Sequence, residues 1–84
     1  MRMVILPISE RLTKFLQVRR LEHKFQKQRQ IFENNPSHPG LRLELLEPRH
    51  LHFFSFRVDK KYRAIFILLA PNVAEIIDIN NHYQ

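Results

Sequence analysis

The sequence predicts an α+β domain in which two amino-terminal helices pack on a small antiparallel meander sheet. Three observations predict it. Residues 9–35 contain neither Gly nor Pro and are rich in good helix formers. After the loop "ENNPSHPGL" the apolar period changes to two, as strands require. The later segments are separated only by Asp59–Lys61 and Pro71–Asn72, turns short enough to imply antiparallel hairpins.

At the amino terminus, "MVIL" is long enough for a short strand, and Pro7 breaks it before any signal sequence or membrane span could form. Ser9 is a candidate N-cap for the helical stretch. Within that stretch the apolar phase shifts. Ile8, Leu12, Phe15 and Leu16 share one face, whereas Val18, Leu21, Phe25 and Phe32 lie nearly opposite. One straight helix would bury neither set, so two helices with a bend near Gln17–Arg20 are expected. Beyond the Pro-Gly loop, "LRLELLE" sets Leu41, Leu43 and Leu45 against Arg42, Glu44 and Leu46. "LHFFSFRV", "YRAIFILLA" and "VAEIIDI" supply three more strands. Residues 1–84 are read as one domain, because 84 residues lie near the lower limit for an independently folding core.

Seven phenylalanines and a 44% hydrophobic composition argue against disorder. The absence of cysteine excludes a disulfide framework and thiolate metal sites, and it suits a reducing cytoplasm. A net charge of +6 calls for an anionic partner or a solvated basic face. Residues 1–35 hold eight Lys/Arg against three Asp/Glu, and residues 36–84 hold six against five, so the excess lies in the helices.

Two arginines, Arg57 and Arg63, stand six residues apart inside apolar strands. A three-residue loop, Asp59-Lys60-Lys61, would oppose them on one side of the sheet, and a two-residue loop would place them on opposite faces. Converging guanidiniums need an anion between them, most naturally a phosphate, or a carboxylate each, such as Glu44 or Glu75. His82 and Tyr83 end the chain as a proton-exchanging group beside a stacking one. His38, His50 and His52 read as turn, loop or strand residues. No histidine pair has helical metal spacing, no glycine-rich phosphate loop occurs and no nucleophile elbow is present. Neither a metal nor another cofactor is expected.

The order "NNPSHPGLRLELLEP", "FSFRVDKKYRAIF", "IIDINNHY" resembles the RelE/ParE superfamily of bacterial toxins from toxin–antitoxin systems. The resemblance covers roughly residues 31–84, and its most specific elements are S-x-R-(x)5-R-x-x-F and the terminal His-Tyr. In arrangement it is most similar to the YoeB type. The resemblance implies the RelE/ParE-like fold and a cytoplasmic, ribosome-dependent messenger-RNA endonuclease that inhibits translation. A cognate antitoxin is the implied partner, in a possible hetero-oligomer, together with ribosome and message and without a membrane. It implies Glu44 as general base, Arg63 as the stabiliser of transition-state phosphate charge and Arg57 as its positioner. His82 matches the general acid and Tyr83 the orienting aromatic. Arg42, Arg49, Lys60 and Lys61 are the expected RNA-binding cations. One departure is Glu47, which stands where that motif often has lysine, so either Arg42 and Arg49 substitute, or activity is weaker, or the mechanism leans on Glu44 and His82. Two other readings remain: a ParE-like gyrase inhibitor, for which His82 and Tyr83 would be dispensable, and a non-catalytic basic module whose arginines pair structurally.

Overall fold

The structure, a computed structural model, describes residues 2–82. Its elements in chain order are β1 (Val4–Ile5), α1 (Glu10–Val18), α2 (Glu22–Asn34), β2 (Glu44–Leu45), β3 (Phe54–Arg57), β4 (Arg63–Ala70) and β5 (Val73–Asn80). Single 3-10 turns at Pro39–Leu41 and Arg49–Leu51 flank β2.

The helices form as their sequence predicts. Ser9 caps α1, its Oγ accepting from the Leu12 amide at 3.2 Å. The expected bend comes where Arg20 turns left-handed (φ 56°) and the Leu21 amide bonds back to the Leu16 carbonyl. Leu12 and Leu16 from α1, with Leu21, Phe25 and Phe32 from the second segment, then reach one core. Val18 does not join them and is exposed, because it sits on the last turn of α1 just ahead of the change in direction. Helix α2 stops before Pro36, as the residue preceding a proline disfavours helical geometry.

The five strands form one sheet in the order β1-β5-β4-β3-β2. The meander β2 to β5 is antiparallel throughout. Strand β1 makes the sheet mixed: it adds to β5 in parallel, with Val4 opposite Val73 and Ile5 opposite Ala74. Parallel addition follows because both helices intervene between β1 and the meander, and helix α2 also holds β1. The Met3 amide donates to the Glu33 carbonyl, the Ile5 amide to Glu33 Oε2, and Arg29 Nη2 to the Ile5 carbonyl.

One face of the sheet carries the core. Phe56, Ala64, Phe66, Ala74, Ile76 and Ile79 pack there under the helices, with Phe54 partly buried beside them. Phe32 from α2 lies with its ring centroid 5.3 Å from Phe56 and 5.1 Å from Phe66. Each such buried side chain contributes about 1.5–3 kcal/mol, so this aromatic cluster anchors α2 on the strands that bear the two arginines.

The segment "LRLELLE" departs from its expected alternation. Only Glu44–Leu45 is strand, Leu41 and Leu46 are buried, and Leu43 and Leu45 are exposed. Arg42 is left-handed (φ 47°) after the 3-10 turn, which breaks the pleat and with it the period of two.

Candidate phosphate-binding cleft

On the face away from the helices the register aligns mostly polar residues in two rows, with the buried Ile65 as the exception. Arg57, Arg63 and Asn80 are directly opposed across β3, β4 and β5. Glu44, Ser55, Ile65 and Asp78 form the neighbouring row across β2 to β5. Directly opposed residues present their side chains on the same side. The loop between β3 and β4 therefore has the three-residue geometry, with the Val58 amide bonded to the Tyr62 carbonyl at 2.9 Å. Asp59 closes it, its Oδ1 accepting from the amides of Lys61 at 2.8 Å and Tyr62 at 2.7 Å.

Arg63 is only 8% exposed, and the protein holds it firmly. Its Nε donates to Ser55 Oγ at 2.8 Å, and Nη2 donates to the Arg42 and Ser55 carbonyls. Glu44 Oε1 lies 3.9 Å from Nη2. Among the described residues Nη1 makes no hydrogen bond, and no buried side-chain nitrogen lacks a partner, so Nη1 is not sealed within the core. Burial lowers the Arg63 pKa most; Glu44 raises it, while Arg57 and then Arg42 lower it further. A guanidinium starts so far above neutrality that it remains protonated.

Arg57 is held differently. Its carbonyl accepts from Gln28 Nε2 at 2.8 Å, yet among the described residues no hydrogen bond or ion pair engages its half-buried guanidinium. Glu75 is opposite Ile67 and does not reach it. Among the described residues the half-exposed Glu44 carboxylate is the one at ion-pair distance from either facing guanidinium, and it approaches only Arg63.

Around this pair lies a cavity of about 270 Å³ lined by Arg42, Glu44, Arg57, Asp59, Lys60, Lys61 and Arg63. Five of these side chains are cations and two are carboxylates, an arrangement suited to an oxyanion with several negative oxygens. Two predicted site residues lie elsewhere. Arg49 is on the Arg49–Leu51 turn, 3.5 Å from Glu47, outside the cavity. His82 follows Asn80 by two positions and is exposed, its amide donating to Asn80 Oδ1 at 3.1 Å, and it is not among the cavity's lining residues. Tyr83 lies outside the described residues.

Sequence reasoning overlooked three contributors. Ser55 was detectable, because in S-x-R a period of two places it on the same face as Arg57. Asp59 was detectable as an Asp heading a tight turn. The Arg42 carbonyl had no signal, since every residue carries one.

Among the described residues, no group of three or more His, Cys, Asp or Glu is placed to hold a metal ion, and no helix is long and apolar enough to cross a membrane. No protein-family model matches the chain. No curated protein matches it. Among solved structures it is similar to a YoeB/ParE toxin from Agrobacterium tumefaciens, with a TM-score of 0.69 and 20% identity over 99% of this chain and 100% of that one. Helices α1 and α2 on the five-stranded sheet thus give this chain the RelE/ParE-like toxin fold.

Proposed function

We propose that this chain is the toxin of a toxin–antitoxin pair and cleaves messenger RNA on the ribosome by metal-independent attack of a 2′-hydroxyl. The observation that carries the reading is the direct opposition of Arg57 and Arg63 beside one carboxylate, Glu44. The shared fold of a YoeB/ParE toxin supports it.

In this mechanism Glu44 accepts the 2′-hydroxyl proton as the oxygen attacks phosphorus. Negative charge grows on the phosphoryl oxygens, where the Nη1 donors of Arg63 and the unengaged guanidinium of Arg57 meet it. The phosphorus–O5′ bond then breaks, and His82 protonates the departing oxygen. The products are a 2′,3′-cyclic phosphate and a 5′-hydroxyl. Tyr83 orients the substrate, and Arg42, Lys60 and Lys61 hold flanking phosphates. Because the nucleophile belongs to the ribose, DNA is not a substrate. His82 must swing toward the cavity when RNA binds, since catalytic contacts tighten in the substrate complex. The setting is the cytoplasm, and an antitoxin segment covering the basic cleft would silence the protein.

Primer extension on a message translated in a cell-free system tests the reading. Wild type should cut the message, and Glu44→Gln, Arg63→Ala and His82→Ala should each cut more slowly. Translation or replication arrest by wild type with every message intact would instead indicate a gyrase-type or other protein-binding poison.

A further inference from the structure

A second and larger cavity, of about 890 Å³, adjoins the cleft and shares Arg57, Asp59 and Lys60 with it. It lies between α2 and the 59–61 turn, with Lys24, Lys27 and His38 on its walls and half-buried Ile31 lining it. Its one carboxylate is already engaged. Asp59 Oδ1 holds the Lys61 and Tyr62 amides, and Oδ2 lies 3.9 Å from Lys24 Nζ. Among the described residues, Lys27 and Lys60 have no carboxylate at ion-pair distance.

The walls are set before any ligand arrives. Gln28 Nε2 donates both to the Gly40 carbonyl at 3.2 Å and to the Arg57 carbonyl at 2.8 Å, tying α2 to the Pro39–Leu41 turn and to β3. His38 is fixed by the Gly40 amide, which donates to its Nδ1 at 2.9 Å. The ring also rests against Gly40: a Cβ there would come within 3.0 Å of Nδ1 and 3.1 Å of Cε1. The chain's only glycine thus seats an exposed, oriented imidazole beside three lysines.

We infer that the message strand flanking the scissile phosphate runs from the cleft into this trough, where Lys24, Lys27 and Lys60 hold its phosphates and the His38 ring stacks on an unpaired base. The inference rests on the nuclease reading and adds the path of the substrate. Charge complementarity and continuity through Arg57 and Lys60 select a polyanion. A fixed aromatic ring beside lysines selects a single strand, whose bases are free to splay out.

The test uses the full chain and a fluorescein-labelled single-stranded RNA decamer with every 2′-hydroxyl methylated, so that binding is read without cleavage. Anisotropy titrations between 50 and 200 mM salt compare wild type, the double variant Lys24→Ala/Lys27→Ala, and the control Arg2→Ala/Lys14→Ala, which removes two exposed cations elsewhere. Each phosphate contact on a single strand contributes about 0.7 to the slope of log affinity against log salt. The trough variant should therefore lose about 1.4 from the slope, with the control unchanged. His38→Ala should weaken binding roughly five- to hundredfold, and His38→Phe should restore most of it. Circular dichroism melts establish that all variants fold.

Equal slopes for the trough variant and the control, or no salt-dependent binding by wild type, would overturn the inference. Displacement of the decamer by polyglutamate at matched charge would assign the trough to an acidic polypeptide instead. Sedimentation with empty and message-loaded ribosomes separates message from ribosomal RNA. The trough variant should bind worse only when message is present, and an equal deficit on empty ribosomes overturns the assignment. An uncut message in cell-free translation would remove the nuclease reading while leaving these titrations unchanged.

Discussion

Arg63 Nε donates to the Oγ of Ser55 at 2.8 Å, and Ser55 is fully buried. This bond aims a guanidinium that would otherwise have several rotamers beneath the cleft. Ser55→Ala leaves a buried charged donor unsatisfied, at about 1–3 kcal/mol. Urea denaturation should register that loss. On the proposed nuclease mechanism, cleavage should also fall, chiefly in kcat, because Arg63 is then free to leave the position that mechanism assigns it in the transition state.

Arg57 and Arg63 repel each other in the free protein. Arg57→Gln should therefore raise stability by about 0.2–1 kcal/mol, the range for a cross-strand pair, and the gain should shrink as salt screens the charges. Inorganic phosphate should raise the Tm of the wild type by binding between the arginines, and this rise should largely vanish in Arg57→Gln. Differential scanning fluorimetry over a phosphate series measures both effects. A phosphate response that survives the substitution would place the anion elsewhere.

For catalysis, Arg63→Ala should slow message cleavage roughly a hundred- to thousandfold, about 2.7–4 kcal/mol in barrier, by analogy with loss of one oxyanion donor. Lysine at this position should recover only part. Arg63 bonds from two separate nitrogens, Nε to Ser55 Oγ and Nη2 to the Arg42 carbonyl, and a single ammonium nitrogen cannot reproduce that fork. Single-turnover rates on programmed ribosomes separate these variants.

Asp59 shapes the loop that opposes the two arginines. Asp59→Ala removes the acceptor for two amides and should cost about 1.5–3 kcal/mol. Asp59→Asn keeps a side-chain oxygen and should cost less. Hydrogen exchange at the Lys61 and Tyr62 amides should accelerate in the alanine variant, and a thermal melt gives the total.

The helices and the later strands were legible because their signals are local. Ser9 heading a stretch without Gly or Pro marks the start of α1, and the shift of apolar phase marks the bend. Phe54 and Phe56 alternate with Ser55 and Arg57, the period of two that marks β3 as a strand. The resemblance to RelE/ParE toxins led to the same fold. Around Leu41–Glu47 the local signal misled, because an alternating pattern of leucines looks the same whether or not a left-handed residue interrupts it.

The sequence alone determined which residues carry charge, that Ser55 and Arg57 share a face of β3 opposite Phe54 and Phe56, and that Arg57 and Arg63 stand close along the chain. Only the tertiary structure decided between the two loop geometries, because that choice rests on Asp59 Oδ1 accepting from both the Lys61 and Tyr62 amides and on the Val58 amide meeting the Tyr62 carbonyl. It also set β1 parallel to β5 through hydrogen bonds with residues about seventy positions away. The partners of Arg63 were likewise decided in three dimensions: a hydroxyl eight residues away and a backbone carbonyl 21 residues away. Side-chain chemistry and period are properties of the chain itself. The hydrogen bonds that place a cation are made to groups brought close by folding, and a backbone carbonyl leaves no mark in the sequence.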